Sequence, residues 1–244
     1  MAHVDIEADI DLTGATLVEG LPGAGLVGKI AADHLVDTFE MPCVGGLHCD
    51  GIPEVAVYHS DDSELMPPVR FYADADQDLL VLQSDIPVSP QRATGFADCV
   101  TSFVVEHDIT PFYLSGLPGE KDGTPELYGV ASGDAGGRLD EAGIVPPRQG
   151  GLVSGPTGAL LSQAQRQDLD AVGLIVETEA QFPDPESSRV IISGGIEPLT
   201  DLEVPTENLV ERAEEIREAR EQLAQQMQQA DEESSQAQPL RGFQ

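Results

Sequence analysis

The chain has 244 residues, enough to bury a substantial core as one large or two small domains, and carries 44 Asp and Glu against 12 Lys and Arg, a formal net charge of -32. Phosphate recognition needs a basic face, which so few scattered cations, with Lys29 and Lys121 the only lysines, do not supply, so nucleic acid is excluded as a partner. The chain lacks a run of 18 apolar residues and a basic-then-apolar leader at its start, which predicts no membrane association and a cytoplasmic location.

In chain order, the first predicted strand, Ala15 to Leu21, runs into a glycine loop and then into an amphipathic helix, Leu26 to Glu40. The loop is Gly20-Leu-Pro-Gly-Ala-Gly-Leu-Val-Gly-Lys29. Gly23, Gly25 and Gly28 satisfy the G-x-G-x-x-G spacing of dinucleotide folds, and Gly23 to Lys29 most of the phosphate-loop pattern. Both matches are incomplete. Ile30 stands where a phosphate loop places the Ser or Thr that ligates magnesium, and Asp50 lies too far on for the ribose acid expected roughly 20 residues downstream. Gly20, Pro22, Gly23, Gly25, Gly28 and Lys29 therefore stand as either a tight strand-to-helix turn or an anion site formed by amides at a helix N-terminus.

Further strands are predicted at Glu54 to His59, Val69 to Ala73, Leu79 to Asp85, Pro111 to Leu117, Gly151 to Ser154 and Val172 to Glu177, with helices at Gln91 to His107 and Thr157 to Leu169. Alternation of strand and helix implies a largely parallel sheet covered on both faces, and the hairpin-like stretch near 54 to 73 adds an antiparallel insertion that makes the sheet mixed. Asp184 and Pro185 read as the cap and first residue of another helix. After Pro205 the chain turns rich in Glu, Arg, Gln and Ala. This predicts three parts: an α/β domain over 1–204, a long helix over 205–230 and a disordered acidic tail over 231–244. Leu209, Ala213, Ile216, Leu223 and Met227 make a heptad seam that packs either on its own domain or between subunits.

No catalytic constellation is expected. Ser84-Asp85 ends an apolar strand at the sheet edge where functional groups gather, but no companion base accompanies it. The five histidines fall in no metal-binding spacing and no G-x-S-x-G elbow is complete, so neither a metal nor a cofactor is expected. Cys43, Cys49 and Cys99 are odd in number and read as free thiols, including Cys49 within His48-Cys49-Asp50. Gly-Leu-Pro-Gly occurs twice, at Gly20 to Gly23 and Gly116 to Gly119, as turns that either admit neighbouring helices or frame a crevice.

The opening motif Glu19-Gly-Leu-Pro-Gly-Ala-Gly-Leu-Val-Gly-Lys-Ile-Ala resembles that of the archaeal and eukaryotic proteasome assembly chaperone family. Later segments agree in order: Pro68-Val-Arg-Phe-Tyr72, Leu79-Leu-Val-Leu-Gln-Ser-Asp85, Leu114-Ser-Gly-Leu-Pro-Gly119, Gly155-Pro-Thr-Gly-Ala-Leu-Leu161 and Glu177-Thr-Glu with Pro183-Asp-Pro185. The resemblance implies a three-layer α/β fold with a mostly parallel mixed sheet similar to nucleoside phosphorylases, no established catalytic site, and self-association into dimers or tetramers. It also implies proteasome α subunits as partners. Some archaeal relatives end in a hydrophobic-Tyr-X tail inserted between α subunits. Here the end is Gly242-Phe243-Gln244, with the aromatic kept in kind. The alternative reading is a small-molecule or nucleotide-binding enzyme, ATP-grasp-like or phosphorylase-like, that uses the glycine loop. The acid-rich, lysine-poor composition without Trp resembles proteins of salt-accumulating halophilic archaea, where salt shortens the screening length to about 3 Å at 1 M.

Overall fold

The central strands are buried along most of their length, and the two-residue strand period sorts successive side chains onto two covered faces. The computed structural model describes residues 3–6, 10–49, 52–58, 63–119, 123–179 and 183–209. Eight strands form one sheet: β1 His3–Ile6, β2 Thr16–Gly20, β3 Cys43–His48, β4 Val69–Asp74, β5 Leu79–Ser84, β6 Thr110–Pro118, β7 Leu127–Ser132 and β8 Ala171–Thr178. Their spatial order is β1-β3-β4-β5-β2-β6-β8-β7.

The four strands β5-β2-β6-β8 are mutually parallel, and these are the apolar runs the sequence exposes most clearly. Antiparallel pairings flank them, β1-β3-β4 against β5 on one side and β7 against β8 on the other. The sheet is therefore mixed, with a parallel centre and antiparallel margins, rather than mostly parallel. The predicted strand at Glu54 to His59 is reduced to a single antiparallel bridge between Val57 and Met66, and Gly151 to Ser154 is irregular.

On one face, Leu17, Leu80, Leu82 and Tyr113 meet Phe96, Val100 and Phe103 of α2 (Ala93–Glu106) and Leu160 and Ala164 of α4 (Gly155–Arg166). On the other, Val18, Val81, Phe112 and Leu174 meet α1 (Val27–Thr38), α3 (Gly136–Glu141) and the run α5 (Pro185–Ile191), a π-helical turn Ile192–Ile196 and α6 (Glu197–Thr200). Two apolar layers against one sheet make three layers.

Cys49, just past β3, is disulfide-bonded to Cys99 of α2, with Cα atoms 6.4 Å apart. This corrects the expectation of free thiols at these two positions. Because α2 lies over the β1 edge, the fold brings together two cysteines that are 50 residues apart. Cys43 is exposed on β3.

The domain core does not stop at residue 204. Pro205 O lies 2.7 Å from Nε2 of His34 on α1, and Leu209, the first residue of the predicted seam, is fully buried against the α1 face. Ala213, Ile216, Leu223 and Met227, the rest of the predicted long helix and the tail lie outside the described residues. We expect Leu209→Ala to cost about 2–5 kcal/mol of unfolding free energy, as a core truncation does. The loss should be equal at low and high protein concentration in urea titrations; a loss that grows on dilution would place Leu209 between subunits instead.

Candidate functional site

The glycine loop follows β2 at the carboxyl edge of the sheet, where an α/β fold has its crevice. A 3-10 turn, Ala24–Leu26, leads from it into α1. Two of its glycines are required by close approach, and a third is tightly packed. A Cβ on Gly20 would overlap Ala32 of α1, one on Gly25 would strike Thr178 and Asp184, and one on Gly28 would sit 3.3 Å from Leu114. Gly25 also has φ +63, a conformation that favours glycine. Gly23, by contrast, has open space around it. The second Gly-Leu-Pro-Gly motif meets the first, because a Cβ on Gly116 would come within 2.5 Å of Ala24 O and 2.6 Å of Thr178 Cγ2.

Asp184 fastens this loop. Its backbone N–H donates to Gly25 O at 2.8 Å, and its carboxylate accepts from Thr178 Oγ1 at 2.8 Å, Glu179 N at 3.2 Å and Ser187 N at 3.1 Å. The last of these is the helix cap read from Asp184-Pro185. Ser188 Oγ donates to Val27 O at 3.2 Å, joining α5 to the start of α1. The loop is thus packed against the ends of β6 and β8 and hydrogen-bonded to Asp184 at the start of α5.

Lys29 is held by carboxylates. Its ammonium lies 2.8 Å from Asp33 and 3.5 Å from Asp85. Asp85 in turn accepts from Arg70 of β4 at 2.6 Å, and Gln83 of β5 donates to Asp33 at 2.6 Å. Arg70 is only 1% exposed and also donates to Tyr72 Oη at 2.8 Å and Pro67 O at 3.0 Å. Burial opposes the charge on Arg70, and the bonds to Asp85 and Tyr72 outweigh it, so its pKa is raised. Two cations and two carboxylates balance in this network, at the edge where β2 sends α1 to one face and β5 sends α2 to the other. Ser84, paired with Asp85 in the sequence reading, is fully buried and donates to Ile86 O at 2.6 Å. Among the described residues, no three His, Cys, Asp or Glu side chains are grouped to hold a metal, and no helix is long and apolar enough to cross a membrane.

Glu19, the first residue of the motif, is a buried carboxyl that sequence reasoning gave no role. As β2 parts from β6, its Oε2 accepts from Leu114 N and its Oε1 from Leu21 N, both at 3.1 Å, and Thr157 Oγ1 of α4 approaches to 3.2 Å. It supplies acceptors where the strand ladder ends. Burial pushes its pKa up to about 8, against the opposing pull of Leu114, Leu21 and Thr157. Burial, and then the charge of Glu19, also raises the pKa of Tyr113.

A family comparison decides what kind of chain carries this site. The profile of the PAC2 family matches residues 17–224. The chain belongs to the PAC2 family. An uncharacterised protein of Methanocaldococcus jannaschii is 29% identical over 223 residues, covering 90% of both chains. Among solved structures, Pyrococcus furiosus PbaA, described as an archaeal homolog of proteasome-assembly chaperone, superposes with a TM-score of 0.79 at 25% identity, covering 95% of this chain and all of that one. Pyrococcus furiosus PbaB, described as an archaeal proteasome activator, shares the fold, with a TM-score of 0.75 at 22% identity over 91% of this chain and 98% of that one. The glycine loop, Glu19, Asp184 and the Lys29 network all fall inside the span matched to the PAC2 family. Gly242, Phe243 and Gln244 lie beyond that span and outside the described residues.

Two predictions follow the loop and the buried acid. Gly20→Ala should cost about 3 kcal/mol through overpacking against Ala32, while Gly23→Ala should stay within about 0.5 kcal/mol. Equal costs in denaturant titration would contradict the packing role. Between the ordinary 4.5 and about 8, the folded chain keeps a proton on Glu19 that the unfolded chain releases. The Glu19 contribution to stability therefore falls as pH rises through that window. Glu19→Gln, which also gives up one acceptor and so starts less stable, should lack this slope; parallel stability-against-pH curves for the two proteins would refute it.

Proposed function

We propose that this chain is a non-enzymatic chaperone that binds proteasome α subunits and promotes assembly of the α ring, working as a dimer or tetramer in the cytoplasm of a halophilic archaeon. The observation that carries this reading is the PAC2 membership together with the match to PbaA along nearly the whole chain. The acid-rich surface supports a salt-rich setting, since a net charge of -32 repels itself strongly in dilute buffer.

The proposed docking element is the C-terminal Gly242-Phe243-Gln244. An aromatic anchor is buried in a cleft between neighbouring α subunits while the terminal carboxylate pairs with a lysine there. Phe243 lacks the hydroxyl of a tyrosine, which is worth about 1 kcal/mol net, and Gly242 adds no burial, so each tail binds weakly. Several tails on one oligomer would act together. Binding that favours productive contacts between α subunits needs no chemical step. The pairing of Lys29 with Asp33 and Asp85, and the filling of the glycine loop by Thr178 and Asp184, weigh against the nucleotide-enzyme alternative.

A pull-down in high salt with tagged full-length protein should recover proteasome α subunits. Deleting residues 242–244 should abolish that recovery while leaving the melting temperature unchanged. Undiminished recovery would remove the tail from the account, and failure of the full-length protein to capture α subunits under crosslinking would overturn the proposed function.

A further inference from the structure

The Cys49–Cys99 disulfide ties the chain, as it leaves β3, to α2. In the excursion between Cys49 and β4, the described residues 52–58 and 63–68 form no strand of the sheet, and Val57 pairs with Met66 in an isolated antiparallel bridge. This excursion carries Val55, Tyr58 and Leu65, three of the seven large hydrophobic side chains exposed among the described residues, with Tyr58 79% and Leu65 70% exposed. The disulfide is the covalent anchor at the root of that apolar surface.

The two sulfurs are not equally reachable. Cys49 is buried, whereas Cys99 is half-buried and lines a groove of about 830 Å³ between β1 and α2. The groove has Ile6, Ile10 and Phe103 among its apolar lining, and the exposed carboxylates of Asp5, Asp98 and Glu106 along it. Access and charge control thiol–disulfide exchange. A negatively charged thiol is repelled by these carboxylates, and a cationic one is drawn in.

We propose that Cys49–Cys99 is a reversible thiol–disulfide exchange site that takes small cationic or neutral thiols through the groove between β1 and α2. The incoming thiolate attacks Sγ of Cys99, the Cys49–Cys99 bond breaks, and Cys49 leaves as a thiolate that takes a proton from water. A second thiolate attacks the reductant's sulfur in the mixed disulfide, freeing Cys99 and releasing the oxidised reductant. Two electrons pass from two small thiols to the protein's disulfide, and reoxidation by a small disulfide reverses both steps. The reduced state frees the Val55, Tyr58 and Leu65 excursion from α2. This role is independent of the α-subunit partner proposed above.

The test uses the full-length protein with Cys43→Ser to prevent thiol scrambling, in salt where circular dichroism shows the native fold. Differential alkylation and mass spectrometry follow reduction by cysteamine, a cation, and by 2-mercaptoethanesulfonate, an anion, each rate normalised to its reaction with a neutral small disulfide. Cysteamine should react about tenfold faster at the lowest such salt, with the preference shrinking in about 1 M salt as screening shortens and also in Asp98→Asn/Glu106→Gln. Chymotrypsin should cut after Tyr58 and Leu65 about tenfold faster in the reduced protein, and equally fast in Cys49→Ser/Cys99→Ser without reductant. Cysteines found reduced and refractory to a neutral disulfide, a bond that opens only on unfolding, equal rates for the two thiols, a preference unmoved by Asp98→Asn/Glu106→Gln, or cleavage indifferent to reduction would each overturn the proposal.

Discussion

The approach of one glycine loop to the ends of two strands is the constraint on which the remaining structure depends. Gly25 and Gly116 lie where any side chain would collide with Thr178, Asp184 or the backbone of Ala24. Their lack of Cβ lets the turn after β2 settle against β6 and β8, and the Asp184 N–H then closes on Gly25 O. Through that contact α1 and α5 are fixed beside each other, and Ser188 adds a bond to Val27. Three regions far apart in sequence, the turn from β2 into α1, the end of β6 and the passage from β8 to α5, are registered at one place. Atoms packed at native density leave little room to adjust it.

The same geometry shapes what the sheet edge can do. A nucleotide loop keeps its amides and its lysine open toward the ligand. Here the loop packs on its own domain, and Lys29 sits in an ion-pair network with Asp33, Asp85 and Arg70. Partly buried charges in such a network hold one another in place rather than waiting for a substrate. The motif that reads most like an enzyme in the sequence is, in the fold, packed against Thr178, Asp184 and Leu114. The chain belongs to the PAC2 family and superposes on a protein described as an archaeal homolog of proteasome-assembly chaperone, and the proposed function accordingly assigns recognition to the C-terminal segment and not to this loop.

Much of the centre of the fold was legible because β2, β5, β6 and β8 are continuous apolar runs, and the Asp184 cap was legible because its signal is local. Of the margins, β4 was predicted at Val69 to Ala73, whereas β1, β3 and β7 were not. β3 contains Gly45 and Gly46, which read as breakers, yet a Cβ on Gly45 would enter the backbone of β1 at Asp5, so glycine is what lets the edge strand pair. β7 carries Gly129 against Leu139 and Ile144 and was missed for the same reason. The β-branched stretch at Glu54 to His59 looked like a strand but found only a single bridging partner. Spacing alone hid the Cys49–Cys99 bond, the reach of Asp85 to Lys29 and the role of Glu19 at Leu114, because each is a contact between distant segments that only the tertiary fold creates.

The most direct test of the claim that the glycine loop is a structural joint is thermal melting of the full-length protein in high salt with increasing ATP, a nucleoside phosphate or inorganic phosphate. A loop filled by its own domain predicts no rise in melting temperature that depends on Lys29 with any of them. A rise that grows with the logarithm of ligand concentration, reaching about 2.7 kcal/mol of stabilisation at a hundredfold excess over the dissociation constant and lost in Lys29→Met, would contradict the account and return the site to nucleotide binding.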